Sequence, residues 1–294
     1  MTPFIQSLID ATSAGAIYAL AALGISLIFG VLGLANFAHA EIITASGYTL
    51  IFTWRFGPVI SILASVVVAI LLAMLMDLVV FARFRRADPA TLLIASFAVS
   101  ILLQRVYDGL FTSNVKTYAV AAELSHSVRI AGLRLNLLSL TSIVLAVVLL
   151  VLLQLFLKKS SLGLQVQAAA SDFTTARILG VRSGRVIGIT FALSGVLAAA
   201  VAFILTAQSG AVSPSFGTQV TLMGLIGAVI GGLGKLNGAL LGGFAVGFAL
   251  SQLTTWLPGE ANDFRIAFVY ALVILVLVFR PNGLLIRRGT GVRA

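Results

Sequence analysis

Leu137-Leu-Ser-Leu-Thr-Ser-Ile-Val-Leu-Ala-Val-Val-Leu-Leu-Val-Leu-Leu-Gln-Leu-Phe-Leu157 runs without a single charge and is closed by Lys158-Lys159. As a helix rising 1.5 Å per residue it extends for about 31 Å, the depth of a bilayer's hydrocarbon core. Lipid offers no partner to peptide groups, so such a run satisfies its own backbone as a helix. Comparable apolar runs cover residues 8–29, 58–81, 186–207 and 238–256, with others beginning at Asp88-Pro89 and ending at Arg280-Pro281. Two shorter runs begin at Asn36 and Val220. The alternating ten-residue segments of a membrane β-barrel are absent. The expected fold is an all-α integral membrane bundle of about nine spans, within a range of eight to ten, forming one transmembrane domain over residues 1–294.

Composition supports this reading. Of 294 residues 60% are hydrophobic and 10% charged, against about 25% charged in a soluble domain. The net charge of +10 points to topology rather than to nucleic acid. Arg83, Arg85, Arg86, Lys158, Lys159, Arg177, Arg182, Arg185, Lys235, Arg280, Arg287, Arg288 and Arg293 fall on one side of the alternating spans. Arg55, Arg105, Lys116, Arg129, Arg134 and Arg265 fall on the other. Basic residues mark the cytoplasmic side, so the N-terminus is expected outside and the C-terminus inside. Residues 111–135, the longest polar stretch, are then extracytoplasmic. There is no cysteine, which removes disulfides, zinc-thiolate sites and thiol redox chemistry. Met1 to Asp10 holds no Lys or Arg, so the first run reads as a retained span rather than a cleaved signal.

Beyond Lys158-Lys159 the chain makes a polar island, residues 163–180, before Arg182 and the next span. Asp172 stands where an N-cap belongs and Gly180 where a left-handed C′ residue belongs. The segment between them makes a helix of about two turns. Phe173, Ala176 and Gly180 fall on one small and apolar stripe. A helix this short is not stable alone and must pack on something. Either it lies on the membrane surface as a connector or it is gripped by a soluble partner.

Small-xxx-small pairs occur at Gly184/Gly188, Gly227/Gly231, Gly238/Gly242 and Gly243/Gly247, and their plain reading is close helix packing. Gly232-Leu-Gly-Lys235 resembles part of a phosphate loop. However, Leu236 replaces the required Ser or Thr and Val229 the leading Gly, so ATP hydrolysis is not expected here. Near the break at Gly30 and Gly33, Asn36, His39 and Glu41 put polar and ionisable groups at the start of a span. Such groups are costly in a membrane and are functional candidates by default; the plainer reading makes Asn36 an N-cap with the other two in an interfacial first turn. His39 and His126 are far apart and make no metal pattern. There is no nucleophile elbow or carboxylate pair. No catalytic, metal or cofactor site is expected.

Gly15-Ala-Ile-Tyr-Ala-Leu-Ala-Ala-Leu-Gly24, Phe29-Gly-Val31 and Leu34-Ala-Asn-Phe-Ala-His39 together resemble the permeases of bacterial ABC importers for hydrophobic, branched-chain amino acids. Ala176-Arg-Ile-Leu-Gly-Val181, the glycine-rich 231–243 segment and Phe279-Arg-Pro-Asn-Gly-Leu-Leu285 extend the resemblance along nearly the whole chain, in order. Two positions depart from it: Ala40 replaces the Gly that usually follows the His, and Gln165 and Gln167 stand where basic residues are common. The resemblance implies a permease subunit of a bacterial cytoplasmic (inner) membrane. It also implies a second permease copy or homologue, two separate ATPase subunits and an extracytoplasmic solute-binding protein. Asp172, Phe173, Ala176, Leu179 and Gly180 would then couple to the ATPase, with Asn36, His39 and Glu41 along the path. The solute would be a branched-chain or hydrophobic amino acid, or a related urea or amide. A self-contained secondary transporter or channel is the alternative; it would need ion sites, for which only Glu41 and Asp77 qualify.

Overall fold

A computed structural model describes residues 2–33, 35–84, 88–130 and 133–279. Leu34, Arg85, Arg86, residues 280–285 of the C-terminal motif, and Arg287, Arg288 and Arg293 lie outside them. The chain is an α-helical bundle. In order it contains α1 (Thr2–Leu32), α2 (His39–Thr53) and α3 (Pro58–Met76). α3 runs through a π-turn at Asp77–Phe81 into α4 (Ala82–Phe84), and α5 (Pro89–Phe111) follows. After an outer loop come α6 (Leu137–Lys159), α7 (Ser161–Ser171), α8 (Phe173–Ile178), α9 (Ser183–Ser209), α10 (Thr218–Gly231), α11 (Leu236–Trp256), α12 (Gly259–Asn262) and α13 (Arg265–Phe279).

All nine apolar segments expected from the sequence are helices. Among the described residues, six helical stretches are long and apolar enough to cross a membrane: Pro3–Leu32, Pro58–Phe84, Ala90–Phe111, Leu137–Lys159, Ser183–Ser209 and Leu236–Trp256. α2, α10 and α13 have 15, 14 and 15 residues within the described chain. At 14 residues α10 is about 21 Å long, short of a hydrocarbon core, as expected of the shorter run that begins at Val220.

Burial separates centre from rim. The most apolar window of α1 is 78% buried and that of α9 61%, against 22% for α5 and α6. α1 is therefore the axis, packed by α9, α10, α11 and α6. α3 turns Ser61, Ser65, Ala69 and Ala73 inward at four-residue spacing and leaves Val59, Leu63, Val67 and Leu71 exposed, as a lipid-facing helix does. Glycine pairs bring α1, α10 and α11 together. A Cβ at Gly227 would stand 2.5 Å from Gly243 Cα, and one at Gly243 would stand 2.6 Å from the Tyr18 carbonyl. The Gly184/Gly188 pair has no such neighbour within 4 Å, so close packing is realised in the later pairs and not in this one.

The polar stretch 111–135 forms small sheets that helical periodicity could not announce. β1 (Lys116–Thr117) pairs antiparallel with β4 (Ala211–Val212), and β2 (Ser127–Ile130) pairs with β3 (Leu133–Asn136). The β1–β4 pairing ties this loop to the α9–α10 loop at the same end of the bundle.

Candidate functional site

α1 ends at Gly33, whose φ of +71° suits glycine. The chain then turns back into the bundle. Asn36 does not occupy the N-cap of α2; its Oδ1 accepts from Ala38 N at 3.0 Å in a turn before the helix, and Ala38 takes the cap position without a side-chain bond. The start of α2 is deep. A Cβ at Gly24 would stand 2.9 Å from the His39 ring, and Gly24 lies eight residues, or about 12 Å of rise, before the end of α1. Ser194, beside His39, lies eleven residues or about 16 Å into α9. Between α1 and α2, Asn36 and Ala38 are thus buried within protein and Phe37 half-buried, the setting in which irregular backbone is tolerated at membrane depth.

Asn36, His39 and Glu41 are buried, at 2%, 0% and 0% exposure, and they face different neighbours. Ser194 Oγ donates to the Gly24 carbonyl at 3.0 Å and lies 3.2 Å from His39 Nδ1. With that hydroxyl hydrogen committed, Nδ1–H is the donor between them, which leaves Nε2 an acceptor with no bonded partner. Glu41 points the other way, to α5. Its Oε1 accepts from Ser100 Oγ at 2.8 Å and Gln104 Nε2 at 2.9 Å, while Tyr107 Oη donates to the Glu41 carbonyl at 2.9 Å. Thr44 Oγ1 accepts from Gly217 N at 3.0 Å, joining α2 to the start of α10. Asn36 Nδ2 and Glu41 Oε2 are also buried without a hydrogen-bond partner.

The sequence reading singled out Asn36, His39 and Glu41 but not Ser100, Gln104, Tyr107, Ser194 or Gly217. A signal existed for part of this: Ser96, Ser100 and Gln104 recur at four-residue spacing on an apolar span, a polar stripe on one helical face. α5 continues to Phe111 because its polar groups are satisfied by α2. Asp77 is buried at the start of the π-turn.

The island holds two helices, not one. Ser160 Oγ accepts from Gly163 N at 2.8 Å and starts α7, which the sequence reading did not anticipate. Asp172 caps α8 as expected, with Oδ1 3.0 Å from both Thr174 N and Thr175 N and Oδ2 2.6 Å from Thr175 Oγ1. The bond from the Thr175 hydroxyl, with those from the backbone, holds the Asp172 carboxyl below the usual carboxylate range. Gly180, with φ +91°, closes the helix: Gly180 N donates to Arg177 O and Val181 N to Ala176 O, both at 3.1 Å, a Schellman ending.

The facing of the stripe needs correction. Ala176 is 4% exposed and joins the chain's main core, and Phe173 packs against that core. Phe173 and Ala176 are thus the side by which α8 is held to its own chain, while Gly180 is exposed. Ile178 and Leu179 stand outward at 78% and 79% exposure. Spacing identified the residues sharing a face but not which body that face meets.

A polytopic helical membrane protein with irregular backbone buried at membrane depth, and a short capped helix outside its spans, has the build of a transport permease. The chain belongs to the family described as branched-chain amino acid transport system / permease component, which it matches over residues 7–277. It is similar to the high-affinity branched-chain amino acid transport system permease protein BraD of Pseudomonas aeruginosa, at 29% identity over 96% of this chain and 95% of the relative. It is also similar to LivH of Escherichia coli K12, a permease protein of the same description, at 26% identity over 96% and 95%. A probable branched-chain amino acid transport permease protein LivH of Methanocaldococcus jannaschii is 26% identical over 90% and 87%. No solved structure matches.

Proposed function

We propose that this chain is the membrane-spanning subunit of an ABC importer of the cytoplasmic membrane, carrying branched-chain or other hydrophobic amino acids, or a related small amide, inward. It pairs with a second permease copy or homologue. Two ATPase subunits bind on the cytoplasmic side, and an extracytoplasmic binding protein delivers the solute. The chain itself catalyses nothing; ATP is hydrolysed on its partners. The supporting observation is α8, capped at both ends, anchored inward through Phe173 and Ala176, and presenting Ile178 and Leu179 outward. Two bulky apolar side chains held out by a rigid turn suit insertion into a partner's pocket, the way a few buried anchors dominate an interface.

Asn36, His39 and Glu41 act in switching. The link between α1 and α2, and the start of α10 bonded to Thr44, are the places where the spans can move against each other. Motion of α8 driven by the ATPases reaches them through α7 and α9 as rigid-body tilt. Uptake into proteoliposomes containing both permease copies and the ATPases tests this reading. Uptake of leucine-like solute must require ATP inside and a binding protein outside. Transport sustained by an ion gradient without ATPase would replace this reading with a secondary carrier.

A further inference from the structure

A cavity of about 700 Å³ opens beside the end of α1, and no part of the transport reading uses it. Residues of α1, α6, α7 and α11, with Gly234 and Lys235 just before α11, line it. Its lining changes with depth. Leu23 lies eight residues before Val31 on α1, and Leu150 eight before Lys158 on α6, so the cavity reaches about 12 Å inward from the ends of these spans. The deep part is walled by Leu23, Leu150 and Leu153; the shallow part carries Lys158, Gln167, Lys235 and Asn237.

Three observations give the ligand's chemistry. The lining includes two lysines and no carboxylate; the nearest acid in sequence, Asp172, is engaged in capping α8. α11 begins at the rim without a side-chain cap, so the N–H groups of its first turn add positive field. Ser26 Oγ lines the cavity, is fully buried, and has no hydrogen-bond partner, so it is a donor that an acceptor seated in the cavity would satisfy. A zwitterionic amino acid would leave its ammonium facing two lysines. A free anion would have no use for a leucine-walled depth. An amphiphile with an anionic head and an acyl chain matches both ends.

We propose that this cavity binds one anionic phospholipid of the cytoplasmic leaflet. Its phosphate sits between Lys158 and Lys235, an ester oxygen accepts from Ser26, and one chain lies along Leu23, Leu150 and Leu153. Basic residues at the inner membrane surface favour acidic lipids in this way. The proposal rests on the cytoplasmic placement of Lys158 but not on the transported solute, and lipid retention is measured without transport. The permease is purified from vesicles of equal parts phosphatidylglycerol and phosphatidylcholine and examined by native mass spectrometry. Retention of one phosphatidylglycerol per protomer in preference to phosphatidylcholine is expected. The double variant Lys158→Gln/Lys235→Gln should lower retention roughly tenfold or more. Lys159→Gln removes one positive charge next to Lys158 but outside the lining and should leave retention intact. Ser26→Leu, which keeps both charges and removes the buried donor, guards against misfolding of the double variant and should also weaken retention. Equal loss in Lys159→Gln overturns the proposal as mere surface charge. Displacement of the lipid by millimolar inorganic phosphate overturns it in favour of a free-anion site. Loss of association between copies with lipid retention unchanged overturns it in favour of a protein contact.

Discussion

Glu41 and Gln104, 63 residues apart, are joined at 2.9 Å between Oε1 and Nε2 inside the bundle, with Ser100 completing the contact at 2.8 Å. The carboxyl group at the start of a short helix is thereby clamped to a long peripheral one. The clamp is the main polar link between α2 and α5, and the two sides depend on each other. Glu41→Ala removes the acceptor and leaves the buried Ser100 and half-buried Gln104 donors without it, at a cost of about 1–3 kcal/mol. Glu41→Gln retains an acceptor oxygen and should fold near normally. Thermal unfolding in detergent is expected to rank wild type and Glu41→Gln above Glu41→Ala. Equal melting of all three would show that the clamp contributes nothing to stability.

The Gly24 and His39 contact leads to a second expectation. A Cβ on residue 24 meets the imidazole at 2.9 Å, tighter than carbon contacts allow, and the ring is already placed by Ser194. Gly24→Ala should cost about 1–3 kcal/mol through overpacking and slow uptake. Ser194→Ala frees the ring to turn and should relieve part of that loss when combined with it. Strict additivity in the double variant would argue against a shared contact.

Solute choice should not reside in the α2 start. Asn36, His39 and Glu41 are closed from solvent in this conformation and bonded to protein, so their substitution is expected to change turnover more than preference. Uptake by His39→Gln with a fixed binding protein should fall while the ratio between leucine and valine holds. A switched preference would relocate specificity to the permease.

Helix identity was legible from length and hydropathy because lipid leaves the backbone one local solution. Pairings were not. The Ser96, Ser100 and Gln104 repeat marks a face of α5, but nothing local assigns it to Glu41 rather than to lipid headgroups or another chain. α7 was missed because the island was read from the caps at Asp172 and Gly180 alone, while the Ser160 cap, the glutamines and the alanines that follow favour helix. The α8 caps were readable residue by residue since each bond spans at most five positions. The direction of Ala176 was not readable, because it depends on where α6 and α9 hold the segment.

The topology itself is open to labelling, and the absence of native cysteine makes it clean. Lys116, on the strand paired with Ala211–Val212, is expected outside, and residues 158–185 inside. Lys116→Cys should react with an impermeant maleimide from the outside of intact cells, and Leu179→Cys only after permeabilisation. The reverse pattern would invert the map and with it the placement of α8.

The test of α8 follows from its two faces. Ala176→Glu drives a carboxylate into the chain's own core, where an unpaired charge costs several kcal/mol unless it is neutralised; its effect should appear first as lower yield and melting temperature. Leu179→Asp changes a side chain that is 79% exposed and should leave folding unchanged while abolishing capture of the ATPase and ATP-driven uptake. Asp172→Ala removes three hydrogen bonds to the first turn and should weaken coupling in part, leaving the Schellman ending to hold the helix. Because the folded Asp172 carboxyl titrates below its unfolded value, its contribution is present above the ordinary carboxylate range, near 3.9, and is lost as pH falls through the lowered folded value. Coupling at neutral pH therefore has the cap in full, and Asp172→Asn, which keeps one acceptor oxygen, should lie between wild type and Asp172→Ala. The decisive comparison is pull-down of the ATPase together with solute-stimulated ATP hydrolysis in Leu179→Asp. If both are normal in a well-folded variant, α8 is only a connector at the membrane surface, and the coupling role proposed for it is wrong.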